Sequence, residues 1–357
     1  MLMIICKVAL DHGARAEAHV QSNQFAERLE RRTHDSAKEA PMKMQHVATL
    51  MEKVGLPSRD AYELPTSEKR FPDGAQYRME ISGVERVSVL EALVNESEKR
   101  KMPIHRIISV VMGATLLDKK ELKEFAKLAA ESKLEVILTP GPRSAWDTGR
   151  QLVTPEGAFS GLRFRGCDQL RYVITDIFRA IELGFRGFLV IDEGLLWLLN
   201  ELKQKGDIPK DVTFKVSIYA GHANAAGAKV LQMLGAGTFN PVADLSLPQL
   251  AAIRKAIDIP MDLHVVLTES FGGYLRFYDT PEMARVCAPC YFKIEHGPAC
   301  AAGPGALYKP WTSPQLLAEM AREKVKYAQI IHELIQENYP EAVMSKPGAK
   351  DLAIPKI

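Results

Sequence analysis

Little in this 357-residue chain offers an immediate handle. Its five cysteines, Cys6, Cys167, Cys287, Cys290 and Cys300, are too few for a disulfide framework and odd in number, so a reducing, cytoplasmic setting is expected. Neither sign of charge is in real excess: 46 Lys+Arg against 44 Asp+Glu leave +2, which excludes a nucleic-acid binder built on bulk charge. No apolar run approaches the ~20 residues of a membrane-spanning helix. The opening stretch Met1 to Leu10 is interrupted by Lys7 and lacks a basic segment before it, so neither a secretory signal nor a membrane segment is expected. Ready-made catalytic motifs are missing too. There is no H-E-x-x-H, no Walker loop and no Ser-His-Asp or Cys-His constellation, and Gly303-Pro304-Gly305 is a lone G-x-G with no helix start behind it.

What is present is an ordinary globular composition, 46% hydrophobic and 25% charged, enough to bury a large core. Residues 1–43 carry no sustained apolar period and read as an N-terminal extension. From His46, the spacing of Val47, Leu50, Met51 and Val54 predicts a helix that Gly55-Leu56-Pro57 stops. A simple theme then repeats eight times, a short aliphatic or β-branched run followed by an amphipathic stretch. The strands begin near Gln76, Ile104, Leu134, Gly187, Thr213, Gly237, Met261 and Cys290. The helices between them include Glu85 to Lys101, Asp118 to Ser132, Asp168 to Leu183, Leu195 to Lys205, Ala225 to Leu234 and Leu247 to Ile257, with a long last one from Pro314 to Asn338. Eight strand-helix units imply parallel strands with helical crossovers, and the expected fold is an α/β, (β/α)8 TIM-like barrel. An open doubly wound sheet is the rival. The expected division is an N-terminal helical extension (1–43), one barrel domain (44–340) and a C-terminal tail (341–357). The final helix, with Tyr327, Ile330, Ile331 and Leu334 on adjoining faces, suits either a homodimer contact or closure of the barrel floor, and His332-Glu333 on it is expected to face solvent.

Strand alternation makes several faces unexpectedly polar for buried parallel strands. Arg78 and Glu80 share one, Lys215, Ser217 and Tyr219 another, Lys293 and Glu295 a third, and His264 sits mid-run. Each pair taken singly is explained by a structural ion pair; together they suggest a polar interior cluster. A barrel's active site lies at the C-terminal strand ends, where Glu80, Asp192, Glu193, Tyr219, His222, Asn240, Glu269, Glu295 and His296 fall. Glu80, Glu193 and Glu295 are therefore candidate general acids or bases. Lys215 and Lys293, each flanked by strand hydrophobes, are candidates to polarise a carbonyl or form an imine, although neutralisation by a carboxylate across the barrel explains them as well. Arg78, Asp192, Tyr219, His222, Asn240 and His264 are candidate substrate contacts. So are Arg143, Trp146 and Asp147, from a long non-helical stretch, Thr139 to Gly166, that reads as a lid for an anionic substrate. Gly221-His222-Ala223-Asn224, Gly272-Gly273 and Gly303-Pro304-Gly305 could each turn backbone N–H groups toward an anion. Cys287-Ala288-Pro289-Cys290 with Cys300 would need Cys167 or His296 to complete a metal or iron–sulfur site. Buried thiols are the favoured explanation, and no metal or cofactor is strongly implied.

Three stretches carry a resemblance: Arg70 to Ile81, reading R-F-P-D-G-A-Q-Y-R-M-E-I; Gly141 to Gly149, reading G-P-R-S-A-W-D-T-G; and Asp192-Glu193-Gly194-Leu195-Leu196-Trp197. Over about Thr66 to Gly297 the chain resembles uncharacterised bacterial proteins of the U-32 peptidase family. The resemblance implies a barrel and a peptidase-like hydrolase; other members of that family act in RNA modification and quinone hydroxylation with iron–sulfur clusters. The family's glutamate and cysteine signature is absent, so no cluster ligand or catalytic residue carries over. Three functions stand as expectations: a hydrolase acting on a small anionic or peptide-like substrate at the C-terminal mouth is the first, and a carbon–carbon lyase or aldolase using a strand lysine is the second. A non-peptidase role in RNA or cofactor modification is the third. The expected partner is a small molecule or peptide, without strong nucleic-acid binding.

Overall fold

The structure, a computed structural model, describes residues 44–110, 113–142, 163–267, 273, 275–295 and 313–357. The chain divides between Val54 and Gly55 into two units. From the first, the described element is the helix α1 (Met44–Lys53), where the apolar spacing predicts one.

In the second unit, eight parallel strands close into a ring in sequence order: β1 (Tyr77–Ser82), β2 (Arg106–Ser109), β3 (Glu135–Leu138), β4 (Gly187–Val190), β5 (Thr213–Val216), β6 (Thr238–Phe239), β7 (Met261–Val266) and β8 (Cys290–Ile294). β8 pairs back to β1 with Glu80 opposite Lys293, so no edge is left open. The open-sheet rival is thereby excluded. Between and after the strands lie α2 (Val87–Arg100), α3 (Lys119–Glu131), α4 (Gly166–Glu182), α5 (Glu193–Lys205), α6 (Ala225–Met233), α7 (Leu247–Ala256), α8 (Thr280–Val286) and α9 (Pro314–Asn338). Local chemistry sets their ends. Asp118 caps α3 in a reciprocal box with Glu121, and α6 runs out at Leu234, followed by Gly235 at φ +94°.

The strands' two faces divide cleanly. Tyr77, Met79, Ile81, Ile107, Val136, Phe188, Phe214, Phe239, Leu263 and Phe292 point outward into the main core under the helices. The alternate residues point into the lumen, where Ile108, Ile137 and Leu189 form a separate small apolar cluster. α9 packs along α2 and α8 and completes the outer ring. The floor, which α9 was a candidate to close, is closed by the C-terminal segment instead: Met344 bridges Tyr77, Ser345 N donates to Tyr77 O (3.1 Å) and Lys356 N to Gly184 O (2.9 Å). His332 does not face open solvent. It is half-buried, with Nδ1 2.7 Å from the Tyr77 hydroxyl, because the inner face of α9 turns it toward β1. No helix among the described residues is long and apolar enough to cross a membrane.

Candidate active site in the barrel lumen

Barrel interiors are ordinarily filled by branched apolar side chains. Much of this one is filled by charges. Arg106 of β2 lies at the centre: Nη1 donates to Glu80 Oε2 and to Asp262 Oδ1, both at 2.9 Å, Nε donates to Glu135 Oε2 at 2.8 Å, and the guanidinium lies 3.5 Å from the centroid of the Tyr291 ring. Lys215 Nζ is 2.5 Å from Asp262 Oδ2 and 3.1 Å from Glu80 Oε2. Thr238 Oγ1 donates to the same Asp262 oxygen at 2.8 Å. Toward the mouth, Lys293 Nζ lies 2.8 Å from Glu295 Oε1 and 3.9 Å from Glu80 Oε1, while His264 Nε2 is 3.2 Å from Glu295 Oε1. Asn240 Nδ2 donates to the main-chain oxygen of Asp262 at 2.6 Å.

Burial and partners pull these groups in different directions. Burial alone would raise the Glu80 carboxyl, but Lys215, Arg106 and Lys293 outweigh it and hold the group down at about 2. For Asp262 burial wins over Lys215 and Arg106, and its carboxyl is raised. Burial lowers Lys215 in spite of Asp262 and Glu80. Lys293 moves up, because Glu295 and Glu80 outweigh its burial. His264 is driven down to about 4 by burial and the Lys293 charge, so it is neutral near pH 7, with its proton assigned to Nε2 facing Glu295. Five buried side-chain atoms have no hydrogen-bond partner among the described residues: the acceptors Glu80 Oε1, Asn240 Oδ1 and His264 Nδ1, the Thr139 hydroxyl, and Arg254 Nε.

Of the sequence candidates, Glu80, Lys215, Asn240, His264, Lys293 and Glu295 come together in this lumen. Others sit elsewhere. Arg78 is on the floor, its guanidinium bonded to Asp351 (2.8 Å twice), Ser345 (2.7 Å) and Tyr291 (3.0 Å), because its position on β1 lies below the Glu80 level. It does not pair with Glu80. Asp192 is the N-cap of α5, accepting from Leu195 N and Phe164 N, and so has a helix-anchoring place. Glu193 forms a separate rim cluster with Arg163 (2.8 Å) and His222 (2.9 Å). Tyr219 does not share the inward face of β5, since the strand ends at Val216 and a 3-10 turn, Ile218–Ala220, carries the ring out to 38% exposure. Arg143, Trp146, Asp147, Glu269, His296, Cys300, Gly272 and Gly303-Pro304-Gly305 lie outside the described residues. Cys287 and Cys290 are buried thiols, and burial pushes Cys287 up to about 12. Among the described residues no three His, Cys, Asp or Glu side chains are grouped to hold a metal.

Sequence reasoning missed Arg106, Glu135, Thr238, Asp262 and Tyr291. The signal was available as the same two-residue alternation: Arg106 with Ile108, Glu135 with Ile137, Asp262 with His264 and Tyr291 with Lys293. Strands of four residues give only two inward positions each, too few for a polar face to stand out.

No family model matches the chain, and no curated protein matches it. Among solved structures, the YdjI aldolase from Escherichia coli is similar at 15% identity over 74% of this chain and 93% of that one, with a TM-score of 0.42. A U32 peptidase is similar at 18% identity over 65% and 96%, TM-score 0.37. A truncated 3-deoxy-D-arabino-heptulosonate 7-phosphate synthase from Thermotoga maritima is similar at 12% over 80% and 98%, TM-score 0.42. A U32 peptidase is thus one of several barrels similar to this chain, and likeness at this level does not discriminate between activities.

Proposed function

We propose that the chain is a barrel enzyme of the carbon–carbon lyase class, with Lys215 forming an imine to a small carbonyl substrate. One observation carries the reading: Lys215 and Asp262 are 2.5 Å apart, with the amine lowered and the carboxyl raised by the same burial. A proton passing from Nζ to Asp262 leaves a free amine beside a neutral acid. The amine adds to the carbonyl carbon, the carbonyl π pair moves to oxygen, and that oxygen leaves as water after protonation. Glu295 takes the proton of the β-hydroxyl, whose oxygen pair forms a carbonyl; the carbon–carbon bond breaks, that fragment leaves as an aldehyde or ketone, and the bond's electron pair moves to the iminium. The enamine so formed is reprotonated on carbon, and hydrolysis releases the product and restores Lys215. Lys293, held protonated by Glu295 and Glu80, supplies positive charge for the developing oxyanion. Glu295 with His264 is the acid–base pair on the mouth side.

Borohydride reduction of the full chain with a panel of aldehydes, ketones and keto acids tests this. A reduced adduct that peptide mapping places on Lys215 is expected; no adduct there across the panel overturns the reading. The hydrolase that the U-32 resemblance implies would use Glu193 or Glu295 to activate water. Peptide turnover by the wild type without any lysine adduct would put that hydrolase in its place.

A further inference from the structure

The lumen wall has two chemical halves. Across β2, β3 and β4 the inward residues above the charged centre are Ile108, Ile137 and Leu189, packed on one another, followed beyond Ile137 by the buried Thr139, whose hydroxyl also lacks a partner among the described residues. The facing sector, β6 through β8 and on to β1 in the closed ring, carries Asn240, His264, Lys293 and Glu80. Three of these four present a buried atom without a partner among the described residues, and all three atoms are acceptors. The Asn240 amide is oriented by its Nδ2 bond to Asp262 O, which leaves Oδ1 as the unused end. His264 donates through Nε2 to Glu295, which leaves Nδ1 as a bare lone pair. Glu80 spends Oε2 on Arg106 and Lys215, while the nearest cation to Oε1, Lys293, stands at 3.9 Å, beyond hydrogen-bond reach. Leaving a buried acceptor unmade is costly, and three on one wall define what a ligand must bring: donors.

We infer that the substrate is a polyhydroxylated carbonyl compound, a hydroxyaldehyde or hydroxyketone, whose hydroxyl groups donate to Glu80 Oε1, Asn240 Oδ1 and His264 Nδ1 while its carbon–hydrogen face lies on Ile108, Ile137 and Leu189. Hydroxyls fit better than an ammonium donor, because Lys215, Arg106 and Lys293 already surround Glu80, and Lys293 and Lys215 already bear on His264. A carboxylate or phosphate brings only acceptors at pH 7, so it cannot satisfy these three atoms, and on this wall only Lys293 offers it a donor. The carbonyl part of the inference rests on the lysine reading; the hydroxyl part rests on the three acceptors alone.

The test is calorimetric titration of the full chain with matched probes: dihydroxyacetone, glyceraldehyde and erythrose against acetone, propanal and butanal, with erythritol as a polyol lacking a carbonyl. Each carbonyl probe is also trapped with borohydride. Binding of the hydroxylated probes at least about tenfold tighter than their deoxy partners is expected, with erythritol following the hydroxylated set. Asn240→Ala should weaken that set several-fold and narrow its advantage over the deoxy set. Equal binding of the two sets, absent binding included, overturns the inference. Lys215 adducts with all carbonyls but no hydroxyl preference would sink this inference and leave the lysine reading standing. A hydroxyl preference without adducts would sink the lysine reading and the carbonyl part of the inference with it, and leave the hydroxyl part standing. The wild-type comparison needs no variant to fold.

Discussion

Lys215, Asp262, Glu80 and Arg106 are each fully buried, so each charge depends on the others for its solvation. Removing one partner strands a charge. Lys215→Met or Asp262→Leu alone is expected to lower the unfolding free energy by about 3 kcal/mol or more, whereas the two together should cost clearly less than the sum. Urea unfolding of the two singles and the double measures that coupling; strictly additive losses would contradict it. Two buried histidines set the acid limit. Burial takes His105 and His264 down to about 4; His105 is held neutral between Met79 N (3.0 Å on Nδ1) and Ser345 O (2.8 Å from Nε2). Between the unfolded value near 6.5 and the folded value near 4, the unfolded chain binds protons that the native one does not. Stability is therefore lost as pH falls through that window, by about 3 kcal/mol per histidine at its lower end. A His105→Gln variant should show a visibly flatter loss between pH 6.5 and 4 in chemical denaturation.

At the scale of elements, every strand begins within about two residues of where the apolar runs place it, because the outward face packs helices and must be aliphatic or aromatic whatever the lumen contains. The inward faces of β2 and β3 were harder to read, because each four-residue strand offers only one inward charge, Arg106 or Glu135, whose partners lie on other strands. The contribution of α9 to the mouth was also hidden. Lys324 buries its ammonium beside the end of β1, donating to Ser82 O at 2.8 Å, and burial lowers it to about 8 in spite of Glu295 and Glu85. Here the folded value lies below the unfolded one. Under about pH 8 both states carry the proton, and the native state does so at a cost of about 3 kcal/mol that fades as pH rises toward 10.5. The stability difference between Lys324→Met and wild type should accordingly be most favourable to the variant below pH 8 and shrink above it. A difference independent of pH from 7 to 10.5 would contradict the burial of that charge.

For the whole molecule, the decisive contacts join segments far apart in sequence. The C-terminal segment runs under the barrel, where Asp351 holds Arg78 by two bonds while Phe71 stacks on the guanidinium 3.8 Å away. Asp351→Ala should cost about 2 kcal/mol, read as a lower urea midpoint, while the described mouth residues keep their arrangement. By itself the sequence determined the eightfold strand-helix alternation and the polar character of half the strand faces, since these follow from the periods of two and 3.6. Which charges meet was decided only by closure of the ring. Glu80 and Lys215 stand four strands apart in order, and Arg78 with Asp351 is separated by nearly the whole barrel. Contacts of that kind have no local signature, because they are set by the shear of a closed sheet and the return of the chain beneath it.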